Sequence, residues 1–474
     1  MQIANHDDSK GSSHRVNCSN SIIYQGDISQ LFSWPDVCIQ NMETILRQDM
    51  GHEPKRILFI HYVENAIRGS ERCLLDLIRY LDREVFTPVV WCNSKRLAEE
   101  VEKSNVKVIQ TDFGMLLCGN HSQFDFGRFY KSIKTGLQIV ASEKIDLIHS
   151  NSGAPNQWMN IVARIRGLPL LSHLHARYPL RESLALGLLW PSLTVGVSQS
   201  VTDQLIRDGL DNRFLKVIPN GVDTELHDQA SPVDIRKALS IPGDHHVIMT
   251  ADSLIRRKGI DLLIRATSHL QSNRVPVHLV VAGSGPERAS LEGMVDEYNL
   301  GANVHFLGEC ENLPALLRGG VDVFVSGSRE EVFGLVLAEA NLASVAVVAP
   351  RVGGISSVIE HETTGLLVKP ECGLSIASAV RLLLNQPGLR RRYGEAGREK
   401  VLREFNIEHY VGQFESTYLE LLDNRHRHLR WFDNVQVRLV LNMAFRCLRI
   451  YLEKWRPAIK AHLAVISPVC QKKS

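Results

Sequence analysis

The sequence predicts an α/β architecture of two doubly wound, Rossmann-like domains facing each other across a cleft. Three observations carry this. The chain has 474 residues, too many for one ordinary core. Short continuous apolar runs alternate with helical patterns, the signature of buried parallel strands covered by helices. The alternation pauses after Asn220-Gly221 and restarts at Val247, so there are two series.

The elements follow in order. Residues 1–52 are polar and weakly patterned, an extension expected to be disordered apart from a short helix near 37–47. Organised sequence begins with the apolar run Arg56-Ile-Leu-Phe-Ile-His61. Further strands are expected at Pro88–Trp91, Val106–Ile109, Asp146–His149, Leu168–Leu171 and Thr194–Val197, with helices between them such as Glu71–Leu81 and Phe129–Ser142. The apolar stretch Ser183–Val197 contains Pro191 and reads as helix, turn and strand. The second series offers strands at Val247–Thr250, Val277–Val281, Val304–Leu307, Val321–Val325 and Ala346–Ala349. The expected domains are 53–220 and 221–405, a helix at 406–424 returning to the first, and a basic tail at 425–474. Ligands of such sheets sit at the C-terminal strand ends, here in the interdomain cleft.

Composition narrows the function. The chain is 44% hydrophobic and 22% charged, as in globular proteins. A net charge of +2, with no zinc-finger or RNA-binding signature, argues against nucleic acid. Nine scattered cysteines without C-x-x-C spacing argue against a disulfide framework and a zinc site. With no signal core at the N-terminus and no run of 18 apolar residues, a cytoplasmic protein is expected.

The strongest chemical signal is Glu331-Val-Phe-Gly-Leu-Val-Leu-Ala-Glu339, after the strand Val321–Val325 and the turn Ser326–Glu330. This order puts Gly334 and Leu335 at a helix N-terminus, where free N–H groups and the dipole attract an anion. Eight residues of helix rise by roughly 12 Å. A diphosphate between the glutamates would place a sugar near one and a ribose near the other. Alone, the pair fits equally a glutamate stabilising the helix dipole and an unrelated buried one.

Neighbouring motifs decide between these. Gly283-Ser-Gly285-Pro-Glu-Arg288 begins like a dinucleotide fingerprint, but Arg288 stands where the third glycine belongs. Nicotinamide binding is excluded, and the segment reads as a turn lining the cleft. Leu254-Ile-Arg-Arg-Lys-Gly-Ile260 is a basic loop where a departing diphosphate would need cations. Leu170-Leu-Ser-His-Leu-His175 follows a strand, and alternation puts His173 and His175 on one side.

Together these segments resemble glycosyltransferase family 4, retaining enzymes of the GT-B fold with an E-x7-E element. The resemblance also rests on Pro350-Arg-Val-Gly-Gly-Ile355, Val358-Ile-Glu360, Thr364-Gly-Leu-Leu-Val368, Val280–Pro286, Pro219-Asn-Gly-Val-Asp223, Val304-His-Phe-Leu-Gly308 and Gly69-Ser-Glu-Arg72, and it spans residues 56–424. It implies transfer of a hexose-type sugar from a nucleotide-diphosphate sugar to a glycan acceptor, with no cofactor beyond the donor, a step in polysaccharide biosynthesis. Glu331, His175 and Lys258 are the implied catalytic residues: Glu331 orients sugar hydroxyls, His175 lies beside the transferred sugar, and Lys258 contacts phosphate. Gly69, Arg256, Arg257, Gly283, Phe306, Leu307, Phe333, Gly334, Leu335, Val336 and Glu339 are the implied donor-binding residues, Glu339 through the ribose.

Two positions depart from the family. Ser253 stands at the usual loop arginine, so Arg256 or Arg257 is expected to compensate, and Arg68 replaces the glycine before Gly69. No D-x-D pair stands at a strand end, so metal-independent transfer is expected. His173 reads as a satisfied histidine at the strand end.

The tail 425–474 holds 11 Lys/Arg and two acidic residues. Arg438, Asn442, Arg446, Arg449 and Glu453 share one helical face opposite a wide apolar one, which suits either a peripheral membrane-surface helix on the inner leaflet or a helix docked on protein. The first would favour a lipid-linked acceptor. Competing functions are a non-catalytic nucleotide-sugar binder and a GT-B epimerase or hydrolase. Acceptor specificity is expected in loops such as Gly114–Phe126.

Overall fold

The computed structural model describes residues 53–63, 67–115, 125–310, 312–424 and 449. The expectations for 1–52, for the helix near 37–47 and for nearly all of the 425–474 tail lie outside these residues. So does most of the Gly114–Phe126 loop.

The first sheet has strands β1 (Lys55–His61), β2 (Phe86–Cys92), β3 (Lys107–Gln110), β4 (Leu147–Ser150), β5 (Leu170–Leu174), β6 (Leu193–Gly196) and β7 (Leu215–Val217). Their order is β3-β2-β1-β4-β5-β6-β7, and every described pairing is parallel. The second sheet has β8 (His246–Ala251), β9 (Val277–Ala282), β10 (Val304–Gly308), β11 (Val323–Val325), β12 (Ala346–Pro350) and β13 (Gly365–Val368), in the order β10-β9-β8-β11-β12-β13, again parallel. Both are doubly wound, with the order reversing between β1 and β4 and between β8 and β11. This is the two-lobed GT-B architecture.

Strand parity builds the core. Ile57 and Phe59 of β1 face one apolar cluster while Leu58 and Ile60 face another, and all four are fully buried. A strand covered on both faces therefore reads as a continuous apolar run. In β9, Leu279 and Val281 enter one cluster and Val280 the opposite one.

Several elements differ from the sequence expectation, among them the strand expected at Val321–Val325, which is confined to Val323–Val325, and the helix expected at Phe129–Ser142, which begins at Phe126. The fifth strand runs Leu170–Leu174, not Leu168–Leu171, because Pro169 has no N–H to give and Leu168 N still closes the preceding helix on Ala163 O. His173 is thus within a strand and His175 just past it. Strands β7 and β13 are not among the expected strands; they are short, three and four residues, and leave little period to read. The helix expected at Glu71–Leu81 begins at Gly69 and ends at Tyr80.

The chain crosses between lobes twice. After β7 it passes through Pro219–Asp223, and at the end it returns through helix Ile407–Asp423. The crossings touch: Val222 N donates to Phe405 O at 2.8 Å, and Val222 pairs with Asn406. The returning helix buries Ile407, Tyr410, Val411, Phe414 and Tyr418 in the first lobe's core with Phe59 and Leu77. Asp223 caps helix Thr224–Gln229 through Leu226 N and accepts a 2.6 Å hydrogen bond from Tyr80 Oη. Among the described residues no helix is long and apolar enough to cross a membrane.

Close approach at the crossing explains Gly221. A Cβ there would lie 2.7 Å from Tyr410 Cβ and 3.1 Å from Ile407 Cα. Gly221→Ala is therefore expected to cost about 1–3 kcal/mol by overpacking, read as a lower urea midpoint. An unchanged midpoint would mean that the two crossings separate freely.

Candidate active site

A cavity of about 1180 Å³ opens between the C-terminal strand ends of the two sheets. Its second-lobe wall is built from loops after β8, β9, β10 and β11. The central piece is a buried charge cluster. Lys258 Nζ lies 2.6 Å from Asp252 Oδ1 and 2.6 Å from Glu331 Oε2. Asp252 follows β8 and Glu331 follows β11, the adjacent strands at the switch point. Burial opposes the charge on Glu331, but Lys258 outweighs it and holds the carboxyl below its usual range. Burial would also lower Lys258, yet the two carboxylates keep it raised and charged. For Asp252 burial wins, helped by the Glu331 charge, and its pKa is raised.

The backbone around Glu331 is shaped by glycines elsewhere in the chain. Gly354 N donates to Glu331 O at 2.9 Å. A Cβ on Gly353 would sit 1.8 Å from that same oxygen, and one on Gly354 1.9 Å from Val332 O. The Gly353-Gly354 pair thus lets the loop after β12 carry the Glu331 segment. Helix Leu335–Leu342 begins just beyond, with Gly334 as N-cap. Glu331 precedes this helix, so the rise of roughly 12 Å expected for eight helical residues does not describe the Glu331–Glu339 separation.

Glu331, Phe333, Gly334, Leu335, Val336, Glu339, Lys258, Arg257 and Gly283 all line the cavity, as do Gly69 and His175 from the first lobe. Arg256, Phe306 and Leu307 do not. The Arg256 carbonyl accepts a hydrogen bond from Arg329. Phe306 lies under the Arg288 guanidinium, 5.2 Å from its ring centre, and Leu307 packs into the core. Of the two arginines expected to compensate for Ser253, Arg257 is therefore the one at the cavity. Glu339 is half-buried; burial and the Asp76 carboxylate push its pKa up to about 7 against the pull of Arg72.

The first-lobe wall rests on a hydrogen-bond network that sequence reasoning missed. His61 Nε2 is 2.6 Å from Glu71 Oε1, and His61 Nδ1 is 2.9 Å from Asn151 O. Glu71 also accepts from Arg68 N and Ser70 Oγ. These bonds outweigh burial and bring its carboxyl down to about 2. The Asn151 amide donates to Ser70 O, and its Oδ1 lies 3.1 Å from both His173 Nδ1 and His175 Nε2. Burial, with a smaller contribution from neighbouring His61, pushes His175 down to about 3, so it is a neutral imidazole. Burial likewise holds His173 well below its ordinary value. Asn151 and Asp252 were readable only as polar residues at strand ends; their partners lie far off in sequence.

Residues 67–226 match the family model described as glycosyltransferase family 4, and residues 233–400 the model described as glycosyl transferases group 1. This chain is a glycosyltransferase of the family 4 type. It is similar to N-acetyl-alpha-D-glucosaminyl L-malate synthase of Bacillus anthracis, 24% identical over 65% of this chain and 84% of that protein. It is 33% identical to the lipopolysaccharide core biosynthesis glycosyltransferase LpsD of Rhizobium meliloti over 41% of this chain and 54% of the relative. Among solved structures, Anabaena HepE in complex with UDP matches at a TM-score of 0.67 and 24% identity, over 77% of this chain and 100% of that one. HepE has also been solved with UDP-glucose.

In the glycosyltransferase, Lys258 neutralises two buried carboxylates. Lys258→Met is expected to cost about 3–5 kcal/mol by stranding them. Both would then have folded-state pKa values above their unfolded ones. The loss should be small below about pH 4, where carboxylates in the unfolded chain are protonated, and grow as pH rises. Urea midpoints of wild type and variant at pH 4 and pH 8 check this; an equal loss at both would assign Lys258 a packing role.

Proposed function

We propose that this glycosyltransferase moves a hexose-type sugar from a nucleotide-diphosphate sugar to a glycan acceptor, with retention of anomeric configuration and without a metal. The observation that carries this is Lys258 bound to Glu331 beside the N-terminus of helix Leu335–Leu342. Cation, carboxylate and unpaired helix N–H groups meet on one cavity wall, as the departure of a diphosphate next to a sugar requires. HepE, with UDP and UDP-glucose bound, offers a donor of this class by analogy.

In this reading the diphosphate lies against Gly334, Leu335 and Val336, with Lys258 and Arg257 beside it. Lys258 neutralises the charge that develops on the leaving oxygen, so the cation requirement is met by the protein. The C1–O bond breaks with its electron pair passing to the diphosphate. The acceptor hydroxyl attacks the same face of the sugar and gives its proton to a donor phosphate oxygen. Glu331 orients sugar hydroxyls, and its negative charge favours the oxocarbenium-like centre. With Nε2 engaged by Asn151, neutral His175 has Nδ1 left for a sugar hydroxyl. Gly69 lets backbone approach the diphosphate. Glu339 binds ribose hydroxyls. Were the 425–474 tail to lie on a membrane surface, the acceptor would be lipid-linked.

A panel of nucleotide-sugars, with nucleotide release as the readout, tests the reaction. One donor should be cleaved in the presence of acceptor, chelator should leave the rate unchanged, and Glu331→Gln should lower kcat by about 10²–10³, the range for losing one preorganised electrostatic group. The product should keep the donor's anomeric configuration. Donor binding without release would instead favour a non-catalytic binder.

Glu339 gives binding a pH signature. With its pKa near 7, ionisation as pH rises through that value adds an anionic acceptor for ribose hydroxyls. Nucleotide affinity is expected to increase between about pH 6 and pH 8, and Glu339→Gln should flatten the increase. Calorimetric titration of the nucleotide at both pH values decides this.

A further inference from the structure

Charge is divided unevenly across the cavity. The second-lobe wall carries Asp252, Glu309, Glu330, Glu331 and Glu339. The described first-lobe residues that line the cavity include Arg68, Arg72, Arg96 and Arg177 and no carboxylate. Glu71 lies behind this wall, buried, with its oxygens taken by His61, Ser70 and the Arg68 backbone.

Arg72 faces Glu339 electrostatically. The other three arginines come from separate segments and are exposed. Arg68 follows β1, Arg96 lies in the first turn of helix Lys95–Glu102 after β2, and Arg177 follows β5. Arg177 meets Glu330 at 3.5 Å as an exposed pair, which contributes little. Arg68 and Arg96 make no ion pair among the described residues. Arg96 also stands at the wrong helix end. That first turn has Lys95 and Arg96 and no acidic residue; Ser94 Oγ caps it through Leu97 N, and Lys95 pairs with Glu99, which leaves Arg96 as the first-turn cation without a carboxylate among the described residues. An incoming anion would relieve this, and guanidinium forks match the oxygens of phosphate or carboxylate.

We propose that Arg68, Arg96 and Arg177 form an oxyanion subsite, and that the acceptor carries a phosphate or carboxylate group near the hydroxyl that receives the sugar. This rests on the transferase reading above. The charge of the donor diphosphate is met from the opposite wall by Lys258, Arg257 and the Leu335–Leu342 helix; from the first lobe only the Gly69 backbone approaches it. The arginine wall faces it across the cavity, where the second substrate must enter.

The test uses the full chain, its radiolabelled donor and an extract of the cells that make it. Labelled product is split into organic and aqueous phases and passed over an anion exchanger at neutral pH. The product should be retained, and the phase that holds it separates a lipid-borne anion from a free one. Arg96→Gln and Arg68→Gln should each lower kcat/KM for the acceptor about tenfold while the Kd for nucleotide, read by calorimetry, moves less than twofold. A labelled product that flows through as a neutral glycan overturns the proposal. So does a nucleotide Kd that weakens in step with kcat/KM, because the arginines would then serve the donor. Labelled product formed in either case leaves the transferase reading standing; no labelled product with any donor removes both.

Discussion

One lysine holds the second-lobe wall together. Lys258 sits between carboxylates that end adjacent strands, Asp252 after β8 and Glu331 after β11. Three charged groups share a place from which water is nearly excluded, so each is tolerable only because of the others. The loops reach this arrangement through paired glycines: a Cβ on Gly259 would lie 2.0 Å from Gly327 O, and one on Gly327 2.1 Å from Gly259 O. Backbone contact brings the strand ends close, and charge fixes what they carry. Helix Leu335–Leu342 starts from the same segment, so its N-terminus inherits a fixed position beside the cation.

The first-lobe wall is held by a hydrogen-bond network centred on the buried Glu71 carboxylate and the Asn151 amide. Asn151 joins the first turn of helix Gly69–Tyr80 to the histidines at the end of β5, with Ser70 O on its amide and His173 and His175 on its oxygen. His175 stays uncharged because it is buried near His61. One wall therefore places charges against phosphate, and the other places a neutral hydrogen-bonding ring against a sugar. Arg68, Arg96 and Arg177 line the cavity from the same first-lobe wall as that ring.

Joining the walls is the task of the two chain crossings. Gly221 lets them touch, and helix Ile407–Asp423 completes the apolar core of the lobe it returns to. The contact that joins the two crossings is thus packed into the same core that stabilises one lobe. The Arg177–Glu330 pair also joins the lobes at 3.5 Å, but it is exposed and contributes little.

The sequence by itself determined that there are two series of strands alternating with helices and that a helix starts at Gly334–Leu335, because period and turn chemistry are local. It also marked Glu331, Lys258 and His175, which stand in short motifs at strand ends. Short or half-buried strands such as β7 escaped, and β5 was shifted until Pro169 and its neighbours showed where the ladder begins. Only the tertiary structure decided that Asp252 shares Lys258, that Gly353 and Gly354 cradle Glu331, that Arg257 and not Arg256 faces the cavity, and that His61, Glu71 and Asn151 support His175. Each of these is a contact between segments far apart in the chain. Hydrogen bonds and charge pairs of that kind leave no period in the sequence, since their partners meet only when the sheets have formed.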